Sequence, residues 1–216
     1  MSKPTLYGFE PFPKMARLSR EAILTEKLDG TNAQIYILDA SDGEVLGAPV
    51  ATIEGKKIFV GSRTRWISPE DDNFGFARWV KEHADEVALL GPGRHFGEWW
   101  GRGIQRGYDL PDRRLSLFNV SRWCKHDSVP QVIPSADPRV VKVQEVLPPS
   151  IGLVPVLYRG EFRTSFVAVE LGLLRDLGSI AAPGFMRPEG VVVWHTAAGV
   201  GFKKTLDHDE SPKSRA

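Results

Sequence analysis

The amino-acid sequence predicts an α+β fold built on antiparallel sheets, and three observations lead to this prediction. Short apolar runs rich in Val, Ile, Phe and Trp recur along the chain, bounded by Gly, Pro, Asp or Asn, which is typical of strands. Two longer stretches carry their apolar residues at helical spacing. Strands outnumber helices and do not alternate regularly with them, which argues against a doubly wound parallel sheet.

The strand predictions fall at residues 33–38, 57–60, 95–100, 115–120, 140–147, 190–195 and 200–203. Each is a short run of residues that favour strands, and each ends at residues that favour turns. One helix is predicted at residues 73–90, where apolar side chains fall near one face and Gly91-Pro92 stops the helix. A second helix is predicted at residues 165–180.

The length of 216 residues fits one domain, which we place at residues 1–206, followed by a polar tail at residues 207–216. Cys124 is the only cysteine, which excludes an intrachain disulfide and a cysteine-based zinc site. No stretch is apolar and long enough for a signal sequence or a membrane span. We therefore expect a soluble, cytoplasmic protein that does not enter a membrane.

The net charge of +1 excludes a uniformly basic nucleic-acid coat, but one segment is locally basic. From Arg94 to Lys125 there are seven Lys or Arg residues against three Asp or Glu residues. Such an excess suits an anionic ligand, because phosphates attract basic side chains. A solvated surface of mixed charge gives the same pattern, so the segment alone does not separate the two interpretations.

The segment Glu-Lys-Leu-Asp-Gly-Thr-Asn at residues 26–32 leads directly into the first predicted strand. Its Asp-Gly pair is typical of a turn, which would hold Lys27 at a strand edge with its amine facing a pocket. A lysine amine becomes a nucleophile when burial or a neighbouring cation lowers its pKa. Taken alone, the segment fits an ordinary hairpin turn better than a catalytic site.

Further candidates for contacts with phosphate, ribose, base or metal follow in order: Arg63, Glu98, Phe118, Glu189, Lys203 and Lys204. The arginine comes in a Ser-Arg pair, and its guanidinium can bind a phosphate through two hydrogen bonds. The first glutamate lies in Gly-Glu-Trp-Trp-Gly, where the glycines allow a ligand close to the backbone. Phe118 could stack on a base, although by itself it fits a core position better.

In this order the segments resemble the motifs of the covalent nucleotidyltransferase superfamily, which comprises ATP-dependent DNA ligases, RNA ligases and mRNA capping enzymes. The resemblance extends from Glu26 to Lys204. Gly-Thr-Asn, ending at Asn32, and the Gly-Glu-Trp-Trp-Gly segment with Gly-Ile-Gln after it resemble the RNA ligases of the nick-sealing phage type. The last family motif is Lys-x-Lys, whereas Thr205 follows Lys204 here, so Lys203 matches its first lysine.

The resemblance implies a nucleotidyltransferase (adenylation) domain of the ATP-grasp-like ligase type. It also implies an ATP-dependent polynucleotide ligase, most similar to RNA ligases, in which Lys27 takes AMP from ATP. The AMP then passes to a 5′-phosphate end, and a 3′-hydroxyl joins that end. We expect no C-terminal OB or helical domain, and a protein partner in its place. The expected nucleic-acid partners are RNA ends or a nicked duplex.

The resemblance also implies a role for each candidate residue. Lys27 and Lys203 are the expected catalytic residues. The expected contacts with ATP come from Glu26, Asn32, Arg63, Glu98, Phe118, Glu189, Lys203 and Lys204. Glu98 and Glu189 are expected to hold Mg²⁺ or Mn²⁺, because these ions prefer oxygen ligands. The expected contacts with nucleic acid come from Asn32, Arg63, Arg102 and Arg106.

Three alternatives stay open. The chain could be a DNA ligase reduced to its adenylation domain, or a non-catalytic nucleic-acid-binding relic of the same fold. A capping guanylyltransferase would share the lysine but use GTP, and the Gly-Thr-Asn and Glu-Trp-Trp-Gly segments disfavour it. The presence of Lys27, Glu98, Glu189 and Lys203 together disfavours the relic.

Overall fold

The structure is a computed structural model that describes residues 10–39, 47–123, 147–207 and 209–210. The strands in these ranges are β1 Glu21–Lys27, β2 Thr31–Asp39, β3 Ala51–Ile53, β4 Lys56–Gly61, β5 Trp66–Ile67, β6 Gly93–Gly101, β7 Arg113–Leu117, β8 Ile151–Leu153, β9 Val156–Glu161, β10 Gly190–His195 and β11 Val200–Thr205. The helices are α1 Phe76–Glu82, α2 Ala84–Ala88, α3 Val120–Trp123 and α4 Thr164–Leu177.

The strands form two sheets, which we call the small sheet and the large sheet. The small sheet has the order β11-β10-β1-β9 and is antiparallel throughout. The large sheet has the order β3-β4-β2-β6-β7-β8, with β5 paired to β4. Its strands are antiparallel except for the parallel pair β7–β8. The predicted α+β fold with mainly antiparallel sheets is therefore confirmed.

Each sheet packs one face against helices, because side chains alternate between the two faces of a strand. In the small sheet, Leu24 and Val193 join a buried cluster with Leu174 of α4. In the large sheet, a set of buried aliphatic side chains that includes Ile35 and Ile58 packs in one core with α1 and α2. The opposite face of β1 turns toward the large sheet, so a cleft lies between the two sheets.

Five predicted strands are confirmed, at residues 33–38, 57–60, 95–100, 190–195 and 200–203. The strand predicted at 115–120 ends at Leu117, because Asn119 accepts a hydrogen bond from the backbone N–H of Arg122 and starts α3. The strand predicted at 140–147 lies outside the described residues, except for Leu147, which is not in a strand.

Strand β1 was not predicted, because its charged ends at Glu21 and Lys27 conceal five buried residues between them. Strands β3, β5, β8 and β9 were also missed. Three of them have only two or three residues, so they are too short for a periodic pattern to show. Strand β9 was missed although it has six residues.

The helix predicted at residues 73–90 is two helices. It begins only at Phe76, because Phe74 and Gly75 adopt left-handed backbone angles, with φ of +53° and +75°. It is interrupted at His83, which lies between α1 and α2 outside helical geometry. The second predicted helix is confirmed as α4, which ends at Leu177 before Gly178. None of the helices in the described ranges is long and apolar enough to cross a membrane.

Candidate active site

A cavity of about 780 Å³ opens in the cleft between the two sheets. The small sheet lines it with side chains of β1, β10 and β11, including Lys27 and Lys203. The large sheet contributes Asn32 and Glu98, and Phe118 follows directly after β7. The fold therefore brings together five side chains that the sequence predicted to act together, from segments spread over most of the chain.

Lys27 is the last residue of β1, and its side chain points into this cavity. The antiparallel register places Lys27 opposite Gly190, so Glu189 lies just before the neighbouring strand begins. Lys27 Nζ donates a hydrogen bond to Glu189 Oε2 at 2.5 Å. The lysine side chain is 20% exposed and the glutamate side chain 2% exposed. The pair is therefore largely shielded from solvent.

Two glycines fix the backbone around this pair. A Cβ at Gly30 would lie 2.4 Å from the carbonyl oxygen of Trp99, so the loop after Lys27 lies directly on β6. Gly190 has a φ of +151°, and a Cβ there would lie 2.2 Å from the carbonyl oxygen of Lys204. Any larger residue at either position would push the strands apart. The position of the Lys27–Glu189 pair is therefore set by close backbone packing.

Glu98 lies in β6 on the face that turns toward the cavity, opposite Asn32 of β2. Its Oε1 accepts a hydrogen bond from the backbone N–H of Gly30 at 3.0 Å. Burial raises the pKa of Glu98 to about 7, although the Gly30 N–H and the Lys27 ammonium act to lower it. The carboxyl group therefore changes charge close to neutral pH, directly beside the loop that carries Lys27.

This raised pKa predicts a pH dependence of stability. Folding takes up a proton at Glu98 between pH 4.5 and about 7, so the free energy of unfolding falls as the pH rises through this window. The expected loss is of the order of 3 kcal/mol. The change Glu98→Gln keeps the shape and removes the titration, so it should flatten this part of the pH profile. Urea unfolding at a series of pH values measures the effect, and an unchanged slope in Glu98→Gln would contradict it.

Arg106 makes contacts within the protein that the sequence did not predict, and its contact with nucleic acid stays a prediction. Its Nε donates to Asp29 Oδ2 at 3.0 Å, and its Nη1 donates to the carbonyl oxygen of Arg187 at 2.8 Å. Nη1 also lies 3.3 Å from the carbonyl oxygen of Pro188. The guanidinium thus ties the loop after Lys27 to the segment just before Glu189. The backbone N–H of Asp29 also donates to the buried hydroxyl of Tyr108 at 2.8 Å.

Glu26 was predicted to contact the adenine of ATP, and the structure gives its carboxylate another task. Ser179 Oγ donates to Glu26 Oε1 at 2.6 Å, while the backbone N–H groups of Ile180 and Ala181 donate to Oε2 at 2.9 and 3.0 Å. The side chain is almost completely buried. The carboxylate therefore fastens the loop after α4 to β1. Glu26 is also among the residues that line the cavity, and its contact with adenine stays a prediction.

The two lysines near the end of β11 point in opposite directions, because adjacent side chains of a strand alternate. Lys203 lines the cavity. Lys204 turns away from it, and its Nζ lies 2.5 Å from Asp209 Oδ2. The predicted contact of Lys204 with ATP is therefore replaced by a surface ion pair.

Arg63 and Arg102 are both exposed and lie outside the lining of the cavity. Arg63 belongs to the turn between β4 and β5, so the geometry does not support its predicted contact with ATP. Arg102 follows β6, and its Nη1 is 3.5 Å from the carbonyl oxygen of Pro111. For both residues, contact with nucleic acid stays a prediction.

Several aromatic residues line the cavity, and of these the sequence singled out only Phe118. Phe118 is 41% exposed, as expected for a side chain that could stack on a base, and Phe96 beside it is 51% exposed. Trp194 and Phe202 add further aromatic surface from the β10–β11 hairpin. A signal for Phe96 exists in the sequence, because it lies two residues before Glu98 and therefore shares its face of β6.

No group of three or more His, Cys, Asp or Glu side chains in the described ranges is arranged to hold a metal ion. Glu189 is hydrogen-bonded to Lys27, and Glu98 lines the same cavity as Lys27. Mg²⁺ commonly takes only one or two carboxylates from the protein, with water and phosphate oxygens as its other ligands. The residues present therefore fit a metal that shares its coordination sphere with a bound nucleotide.

A family model described as RNA ligase matches residues 20–205 of the chain. No curated protein sequence matches this chain. Among solved structures, Naegleria gruberi RNA ligase is similar in three forms. A lysine-to-alanine mutant with ATP and Mn has a TM-score of 0.51 at 16% identity, and a glutamate-to-alanine mutant with AMP and Mn has a TM-score of 0.52 at 16% identity. The form with PPi has a TM-score of 0.50 at 17% identity.

Each of these three matches covers 87% of this chain and 50% of the Naegleria gruberi chain. The chain thus spans about half the length of the solved structures that it matches. At this level of identity the likeness concerns the fold.

Proposed function

Because this chain belongs to the RNA ligase family, we propose that it is an ATP-dependent RNA ligase that carries AMP on Lys27. One observation carries the proposal. The Lys27 amine ends in a cavity between two sheets, 2.5 Å from the buried carboxylate of Glu189 and in the same cavity as Phe118 and Lys203. A volume of about 780 Å³ is in the range of nucleotide-sized ligand pockets.

In the first step, Lys27 Nζ attacks the α-phosphorus of ATP. A phosphorus–nitrogen bond forms, the bond to pyrophosphate breaks, and the amine gives up its proton. A 5′-phosphate oxygen of the nucleic acid then takes the AMP from Lys27, and a 3′-hydroxyl finally displaces AMP to form the new phosphodiester. Such phosphoryl transfers need mainly positioning and charge stabilisation from the protein.

The side chains around the cavity supply these needs. Phe118 is placed to stack on the adenine, and Lys203 offsets negative charge that develops at the α-phosphate. Asn32 is proposed to contact the strand ends. Lys27 paired as an ammonium with Glu189 has no lone pair for attack, so the pair must separate before the reaction.

Glu189 and Glu98 are the residues that would hold Mg²⁺ or Mn²⁺. A divalent cation bound there would neutralise phosphate charge and compete with Lys27 for the Glu189 carboxylate. The Naegleria gruberi RNA ligase structures that hold ATP and Mn or AMP and Mn support this part of the proposal.

The proposed domain is an adenylation domain of the ATP-grasp-like ligase type at residues 1–206, followed by a polar tail at 207–216. A protein partner that contributes nucleic-acid contacts belongs to the proposal as well. So does a cytoplasmic location, because the use of ATP and a sequence with a single cysteine both suit that compartment.

A substrate panel tests the choice of RNA. The protein is incubated with Mg²⁺ or Mn²⁺, ATP, and nicked duplexes whose 3′-hydroxyl strand ends in ribonucleotides or in deoxyribonucleotides. We expect at least about ten-fold faster sealing of the ribonucleotide ends, since a site that bonds a 2′-hydroxyl leaves its polar groups unpaired with deoxyribose. Equal sealing of all-DNA nicks would favour the DNA ligase alternative. In a separate assay, stronger covalent labelling of the protein by α-labelled GTP than by α-labelled ATP would favour the capping alternative.

A further inference from the structure

The face of the large sheet that carries Glu98 continues past the cavity as a ladder of polar and aromatic side chains. Strand β2 presents Asn32, Gln34 and Tyr36 on this face, because the buried residues of β2 alternate with them. The antiparallel register with β6 gives three successive ladder pairs, namely Asn32 with Glu98, Gln34 with Phe96, and Tyr36 with Arg94. The ladder therefore leads from the catalytic cleft to Tyr36 in two steps.

The far end of this ladder carries a group that we call the Tyr36–Trp66–Arg94 platform. The rings of Tyr36 and Trp66 are stacked, with centroids 6.3 Å apart and planes at 15°. Arg94 Cζ lies 4.0 Å from the centroid of the Tyr36 ring and 5.6 Å from that of the Trp66 ring. Trp66 arrives there through β5, the two-residue strand that pairs with β4. Two aromatic rings and one cation thus share a single surface.

Two properties of the platform indicate a ligand. Arg94 is exposed, and its guanidinium donates no hydrogen bond to any acceptor in the described part of the chain. Its N–H groups can therefore bind a phosphate. Arg94 and half-exposed Phe96 also line the same cavity as Lys27, so the surface between them is continuous. Arg94 lies four positions before Glu98, which is about 13 Å along β6.

We propose that the platform binds an unpaired nucleotide of the RNA strand whose end lies at Lys27, with the base on the aromatic rings and a phosphate on Arg94. This inference rests on the proposed function, since it extends the substrate site of the same reaction. Aromatic side chains and arginine bind single strands because every base has a π face, whereas the bases of a duplex are already stacked on one another. The platform therefore favours a single-stranded segment next to the joining site.

Binding of dye-labelled, 5′-phosphorylated oligoribonucleotides, followed by fluorescence anisotropy without ATP, tests this proposal. Strands of about three and about twelve nucleotides are compared, since single-strand sites commonly span about 4 to 16 nucleotides. The variants are Trp66→Leu, at a residue outside the cavity lining, and Arg94→Gln, at an exposed side chain. Both should bind the long strand about 5- to 100-fold more weakly than the wild type and the short strand unchanged.

Phe166→Leu is the matched control. Phe166 packs on Tyr158 at a centroid distance of 4.5 Å, and Arg163 lies 5.9 Å over its ring, so it belongs to a similar aromatic and cationic group. This group lies at α4, outside the cavity lining. Phe166→Leu should bind both strands as the wild type does. Equal weakening in the control would mean that the loss is unspecific, and it would overturn the proposal.

The remaining outcomes distinguish a failure of RNA binding at the platform from a failure of the proposed ligase reaction. Labelling by α-labelled ATP is measured on the same preparations, and Trp66→Leu should take the label as the wild type does. If the wild type takes no label but the variants still lose long-strand binding, the proposed function fails and the platform stands. If label forms and the variants bind the long strand normally, the platform is overturned. Equal losses for short and long strands, or for a fully paired duplex of the same length, would also overturn it.

Discussion

Replacement of Lys27 by alanine is expected to reduce the transfer of label from α-labelled ATP to the protein below detection. In the proposed reaction the amine of Lys27 forms the bond to AMP, and alanine has no such group. Alanine also leaves the buried Glu189 carboxylate without its ammonium partner, which costs stability by itself. The sharper variant is therefore Lys27→Arg, because arginine keeps the positive charge but does not give up its proton. It should fold like the wild type and take no label.

Lys204→Ala is the matched control for these variants. It removes the same charge from a lysine that turns away from the cavity and pairs with Asp209 at the surface. It should keep full labelling. Labelling that survives in Lys27→Arg would place the nucleophile elsewhere, and loss of labelling in Lys204→Ala would contradict the geometry of β11. Gel analysis of labelled protein, with the urea unfolding midpoint of each variant, gives both readouts.

Glu189→Gln is expected to slow the labelling by about 100-fold or more, the usual effect of removing one charge-stabilising group from an active site. Glutamine keeps the shape of the side chain but loses the charge that lies 2.5 Å from the Lys27 amine. It is also a weaker ligand for a divalent cation. The rate of labelling is measured while the concentration of Mg²⁺ or Mn²⁺ is varied. If Glu189 holds the metal, the concentration for half-maximal labelling rises in the variant.

The control for this change is Glu21→Gln. Glu21 begins the same strand that Lys27 ends, and it pairs with Arg159 at the surface. Its loss should leave labelling and the metal requirement unchanged, because exposed ion pairs contribute little. A Glu189→Gln protein that labels at the wild-type rate would show that this carboxylate only neutralises Lys27 in the resting state.

The main residues of the site could be predicted from the sequence, because each lies in a short local pattern that indicates its chemistry. Lys27, Glu98 and Glu189 were predicted from their segments, and the fold places them around one cleft. The direction in which each side chain points was harder to predict. The alternation along a strand already implies that Lys203 and Lys204 cannot both enter the cavity. The rule applies to any strand, but the choice of which lysine enters the cavity also requires the position of β11 beside the cavity.

Partners distant in the sequence could not be predicted. Arg106 was expected to contact nucleic acid from the family resemblance, and its guanidinium also binds Asp29, which lies 77 residues earlier in the chain. Glu26 was expected at the adenine, but it accepts hydrogen bonds from Ser179 and its neighbours, about 153 residues later. Local patterns contain no information on such contacts. The residues that build and support the site were therefore missed more often than the residues that face the ligand.

The Lys27–Glu189 contact also has a consequence for the order in which the protein folds. The two residues are 162 positions apart, so their meeting closes a loop that contains most of the chain. Closing so large a loop is costly in chain entropy, and contacts of this kind slow folding. An intermediate that has formed only the large sheet, with its local hairpins, would lack the pairing of β1 with β10 that brings Glu189 to Lys27. The capacity to accept AMP therefore arises with the native topology, and a nascent or partly unfolded chain has no complete site with which to consume ATP.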